Sequence, residues 1–116
     1  MTLQGSSDSI LFAGSYNNLL LQNLTISDAD SDNGISFDGT SSSTISNVTV
    51  NSTKRKAVLF EDVTSIIVKN SFFKNSSTSH GFEISDGSSS VVLDNVFIHN
   101  SGYSGSSAYG LYVSGS

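Results

Sequence analysis

The sequence predicts an all-β parallel solenoid of about four to five coils, 23–25 residues per coil. Three observations carry this. An Asn with an apolar residue two places before it, and apolar residues one and three places after it, recurs at Asn23, Asn47, Asn70 and Asn95, with Ser71 in the first of those following places after Asn70. Apolar positions are almost all Val, Ile, Leu or Phe, and they alternate with small polar residues as half-buried strands require. Just over half the chain is Ser, Thr, Asn, Asp or Gly, with no Pro and no helical periodicity.

Taken in order, each coil supplies two recognisable segments. The Asn-centred segments are LLLQNLTI (19–26), STISNVTV (43–50), IIVKNSFF (66–73) and VVLDNVFI (91–98). Each is followed by a shorter one: GISFDG (34–39), AVLFED (57–62), GFEISDG (81–87) and GLYVSG (110–115). SILFAG (9–14) fills that shorter slot one coil earlier. Alternation sends Ile10/Phe12, Ile35/Phe37, Val58/Phe60, Phe82/Ile84 and Leu111/Val113 inward. Leu21, Ile45, Val68 and Leu93 point inward before the Asn; Leu24/Ile26, Val48/Val50, Ser71/Phe73 and Val96/Ile98 do so after it. One coil cannot shield these residues alone, whereas stacked coils about 4.8 Å apart form a continuous apolar column. Three short strands per coil fit the repeat length. The last interval, Gly81 to Gly110, is lengthened by the loop SGYSGSSAY (101–109).

The Asn column has its own physical reason. A coil bends sharply between strands, and Asn tolerates the left-handed backbone of such corners. Identical stacked amides can also hydrogen-bond from coil to coil as an Asn ladder. A second corner column is expected five residues later, at Asp28, Ser52, Asn75 and Asn100.

This pattern, apolar-x-Asn followed by a short strand and then Gly-apolar-x-apolar, resembles the right-handed parallel β-helix repeats of the pectin-lyase-like superfamily over nearly the whole chain. The resemblance implies a right-handed, single-stranded parallel β-helix with three sheets per coil. It also implies a setting among extracellular polysaccharide lyases, hydrolases, epimerases, tailspikes and adhesins. His80-Gly81 is similar to the His-Gly element of polygalacturonases, and Asn33-Gly34-Ile35 sits where their Asn-Thr-Asp-Gly motif would lie. Their Asp-Asp pair is replaced by Lys54-Arg55-Lys56-Ala57, so that activity is not carried over and no catalytic residues are assigned. His80 reads as a loop residue. Lys54-Arg55-Lys56, the one basic cluster, reads as a solvated loop able to meet an acidic glycan.

Other chemistry is bounded by composition. Without Cys there are no disulfides, thiol nucleophiles or thiolate metal sites. Five Lys and Arg against ten Asp and Glu give a net charge of −5, which speaks against nucleic acid as partner. No apolar run reaches the roughly 20 residues of a membrane span. Asp38, Glu61 and Glu83 fall on outward strand positions, and Tyr103, Tyr109 and Tyr112 cluster near the long loop; together they are the candidate glycan-binding residues. The alternating carboxylates Asp28, Asp30 and Asp32 are a candidate calcium loop, although no Glu closes it as in an EF-hand. No other cofactor is expected.

No signal peptide follows Met1, and neither end carries a polar cap. Residues 1–116 are therefore expected to form one β-helix domain within a longer solenoid, with flanking coils or self-association covering its ends. The functional expectation is a non-catalytic module of an extracellular or cell-surface protein, acting as spacer and glycan binder. The alternative is a fragment of a polysaccharide-degrading lyase or glycoside hydrolase.

Overall fold

A computed structural model describes residues 1–6, 11–104 and 107–115. Among the described residues ten strands run in chain order: β1 (Thr2–Ser6), β2 (Leu11–Ala13), β3 (Leu20–Ala29), β4 (Ile35–Asp38), β5 (Ser41–Thr53), β6 (Val58–Glu61), β7 (Thr64–Ser76), β8 (Phe82–Ser85), β9 (Ser89–Ser101) and β10 (Leu111–Val113). Odd-numbered strands make one sheet in the order β1-β3-β5-β7-β9, and even-numbered strands the other in the order β10-β8-β6-β4-β2. Every pairing is parallel, between equivalent segments of successive coils. This is a β-solenoid of about four turns. Among the described residues no helix is long and apolar enough to cross a membrane.

The long strands are bent rather than straight. Asn23, Asn47, Asn70 and Asn95 all have φ between 52° and 56°, and the column Asp28, Ser52, Asn75 and Asn100 is left-handed as well. A third left-handed column, Asn18, Ser42, Ser65 and Ser90, lies five residues before the first. Each long strand is thus interrupted by single left-handed residues, so the expected first and second strands of a coil merge into one angled element.

Amide stacking joins the corners. Asn47 Nδ2 donates to Asn23 Oδ1 at 2.7 Å and Asn95 Nδ2 to Asn70 Oδ1 at 2.9 Å. On the neighbouring column Asn75 Nδ2 donates to Asn51 Oδ1 at 2.6 Å, and Asn100 Nδ2 to Asn75 Oδ1 at 2.8 Å. The Asn23–Asn95 column is exposed, so water competes for its bonds.

Where the ladder is interrupted beside a turn, serine repairs it. Ser43, Ser71 and Ser88 Oγ accept the N–H groups of Leu19, Val48 and Val63 in the preceding coil, at 3.0, 3.2 and 3.1 Å. Each hydroxyl donates in turn to a carbonyl of its own coil: Ser41, Lys69 and Ser85 respectively. Backbone donors that would otherwise be stranded inside are therefore satisfied.

The core is a stack of the inward residues. Phe37 and Phe60 rings stack at 5.2 Å, and Phe82 meets Phe60 edge-on at 5.0 Å and Phe73 at 5.5 Å. These four rings are fully buried, each stabilising by about 1.5–3 kcal/mol. Small residues open the short strands because space is absent there. A Cβ on Gly34 would meet Val50 Cγ1 at 2.5 Å and the Ala57 carbonyl at 2.7 Å. A Cβ on Gly81 would meet the Gly110 carbonyl at 2.8 Å and collide with Ser101 and Ile98.

One expectation needs correction. In the first short strand, Leu11 and Ala13 pair with Ile35 and Phe37, while Phe12 pairs with Ser36. The inward set is therefore Leu11/Ala13, with Ala13 buried; Ile10 lies outside the described residues. The corner interval from Asn18 to Ser42 is 24 residues, and it carries Leu11 onto Ile35, whereas aligning Gly14 with Gly39 demanded 25. Leu111 and Val113 keep the expected register with Phe82 and Ile84, and at 44% and 63% exposure they have no coil over them among the described residues.

Candidate functional site

The outer face of the short-strand sheet is a grid written one residue per coil. Its middle column is Ser36, Leu59, Glu83 and Tyr112, consecutive register partners. Beside it Asp38 pairs with Glu61, and Glu61 with Ser85. Just before the strands runs a further column. Gly34 N–H donates to the Lys56 carbonyl, and Gly81 N–H to the Tyr109 carbonyl, which brings Asn33 beside Lys56 and His80 beside Tyr109. Outward strand positions need not be open: Ser36 and Ser85 are both buried on this face.

Polar side chains cross between the columns. Asn33 Nδ2 donates to Ser36 Oγ at 3.2 Å, and its Oδ1 accepts the Lys56 N–H at 2.9 Å. Lys56 Nζ lies 3.3 Å from Glu83 Oε2, with side chains only 11% and 17% exposed. His80 Nε2 stands 4.0 Å from that same carboxylate oxygen. His80 Nδ1 accepts the Tyr109 N–H at 3.0 Å. The imidazole is nearly parallel to two tyrosine rings: Tyr112 at 4.5 Å and 11°, Tyr109 at 5.5 Å and 19°. Tyr109 and Tyr112 are themselves 6.0 Å apart at 13°. Both are exposed, so three aligned rings border an ion pair at the last two coils.

Next to them lies a row of carboxylates. Burial pushes the Glu61 carboxyl above the ordinary range, and Asp38, Asp86 and Glu83 push it the same way, against a lowering by Lys56. Like charges thus crowd one edge of the same face.

The remaining candidate residues go elsewhere. Tyr103 does not join Tyr109 and Tyr112; it lines an open cleft of ≈ 280 Å³ with Asp28, Ala29, Asp30, Ser52, Thr53, Lys54 and Ser77. Asp28 accepts a hydrogen bond from Gln4 at 2.7 Å, while Asp32 lies 3.6 Å from Arg55. Among the described residues no group of three or more His, Asp or Glu side chains could hold a metal ion.

Two site residues were weighed in the sequence but placed in solvated loops rather than at the site. Within the basic run Lys54 and Arg55 are exposed, but Lys56 is buried. His80, read as a loop residue, is the centre of the ring cluster. The available signal was their spacing: Asn33, Lys56 and His80 each stand two residues before the first inward residue of a short strand. A profile for the right-handed beta helix region matches residues 1–116.

The chain belongs to the right-handed β-helix family.

As a right-handed β-helix, its parallel register makes neighbours of residues one coil apart, and that is how this face is assembled. No curated protein and no solved structure matched the chain.

Proposed function

We propose that this β-helix is a non-catalytic, extracellular or cell-surface module that spaces neighbouring parts and binds a glycan on its short-strand face. The observation carrying this is the ring cluster of His80, Tyr109 and Tyr112 beside Glu83 and Lys56. Aromatic rings offer an apolar face to the C–H surface of a sugar, and the adjoining carboxylates accept its hydroxyls. Fold alone does not specify this role; the side chains at the site support it. The open last coil, with Leu111 and Val113 uncovered, is the surface where further coils or a second copy would stack.

The test is calorimetric titration of the chain with neutral and acidic polysaccharides. Binding to at least one, weakened by Tyr112→Ala with unchanged circular dichroism, supports the reading. Absence of binding across the panel would overturn it.

A second reading has one observation in its favour. Glu61, held above the ordinary carboxylate range next to Asp38 in the neighbouring coil, has the environment of a general acid with a carboxylate partner. On that reading the chain is a fragment of a glycoside hydrolase or lyase. New reducing ends or unsaturated uronates that disappear in Glu61→Gln would establish it.

A further inference from the structure

We infer that the glycan recognised by the His80–Tyr109–Tyr112 face is uncharged, and that uronate-rich polysaccharides are rejected there by the carboxylates bordering the rings. This rests on the glycan-binding reading above and adds the chemical class of its ligand.

The argument is an account of the charges that meet the site. Glu83 sits next to Tyr112 in register, Glu61 pairs with Asp38, and Asp86 follows the strand that carries Glu83. Four carboxylates thus belong to this face. One cation, Lys56, belongs to it as well, but its ammonium is committed to Glu83 at 3.3 Å and its side chain is largely covered. A ligand carboxylate could recruit Lys56 only by displacing Glu83 and leaving that charge without its partner, at a cost. His80 Nδ1 accepts from the Tyr109 backbone, and its Nε2 stands 4.0 Å from Glu83, so the donor it has lies close to a carboxylate already in the site.

The other cations are placed elsewhere. Arg55 lies by Asp32, Lys54 lines the cleft with Asp28 and Asp30, and Lys74 sits over the Phe72 ring on the long-strand sheet. Lys69 is in register with Asp94 on that same sheet. The Glu61 carboxyl is raised first by burial and then by Asp38 and Asp86, in keeping with carboxylates grouped on this face. A uronate would add like charge without a cation to neutralise it. A neutral pyranose meets the opposite situation, because ionised carboxylates are acceptors only and its hydroxyls are donors.

The experiment titrates the full chain, at low and at physiological salt, with konjac glucomannan, xyloglucan and mixed-linkage β-glucan, and in parallel with polygalacturonate and alginate. Binding to a neutral polymer at least about tenfold tighter than to either acidic one is expected, with the gap narrowing as salt screens the repulsion. Tyr112→Ala and, as a second variant, Tyr109→Ala should each weaken the neutral interaction. The variant Asp38→Asn/Glu61→Gln/Asp86→Asn should gain affinity for polygalacturonate while keeping the rings. Tyr112-dependent binding that favours polygalacturonate or alginate would overturn the inference and leave the glycan reading standing. A carboxylate-neutralised variant that folds, binds the neutral polymer and still rejects polygalacturonate would also overturn it. Failure of every polymer to bind would overturn the glycan reading itself.

Discussion

Removing the Glu83 carboxylate should cost far more than removing the ion pair as a whole. Lys56 and Glu83 approach to 3.3 Å with side chains only 11% and 17% exposed. At an effective dielectric near 20 their attraction is about 5 kcal/mol, most of which is offset by taking both charges out of water. Glu83→Gln leaves the Lys56 ammonium covered and without its counter-charge, an expected loss of about 2–4 kcal/mol. Lys56→Met is milder, about 1–2 kcal/mol, since Glu83 keeps partial access to water and His80 at 4.0 Å. The double variant Lys56→Met/Glu83→Gln buries no charge and should lose no more than Glu83→Gln alone, giving a coupling of at least about 1–2 kcal/mol. Urea unfolding followed by circular dichroism at neutral pH reads these differences from the midpoints, provided the slopes agree. Losses that simply add would refute the reasoning, because additivity means the two charges do not sense each other.

Three further outcomes follow from the geometry. Glu61→Gln should raise the melting temperature at pH 7: a folded-state carboxyl shifted upward is more stable protonated, so its penalty appears as pH rises through its pKa. The gain should fade on acidification, and a gain independent of pH would count against the shift. Gly81→Ala should destabilise by about 1–3 kcal/mol, because the added methyl meets the Gly110 carbonyl, Ser101 and Ile98; an unchanged urea midpoint would contradict that crowding. Asn75→Ala should cost about 1–2 kcal/mol, and Asn75→Gly less, since glycine restores the φ of 61° though not the amide bonds to Asn51 and Asn100. Equal melting temperatures for the two variants would show that the left-handed corner is not what Asn75 supplies.

Much of the fold was legible because its cause is local and repeated. Asn23, Asn47, Asn70 and Asn95 mark the same backbone conformation each time, and the alternation around them says which side chains enter the core. The first coil was misread by one residue because Gly14 imitates Gly39, yet of the two only Gly39 has a positive φ. The candidate site was less legible. Register places Asp38 beside Glu61 and Glu83 beside Tyr112, so those neighbours could be read from spacing. The direction in which a long side chain turns could not. Lys56 folds toward Glu83, whereas Arg55 lies by Asp32, and Lys54 and Tyr103 line the cleft with Asp28 and Asp30.

The uniform corners also bear on how such a chain can change length. Ser41 and Thr64 are register partners, so excising residues 41–63 would join Thr40 to the residue that takes the same place one coil on. Leu21 would then meet Val68, Ile26 would meet Phe73, and Asn23 would come beside Asn70, with apolar rows and left-handed corners continuous across the join. The outer face would not be so indifferent. Lys56, Leu59 and Glu61 would leave together, setting Asn33 against His80 and Ser36 against Glu83. A whole coil is therefore an interchangeable unit to the interior and an irreplaceable one to the surface. Whole-coil changes in length can keep the scaffold intact while rewriting the outer face it presents.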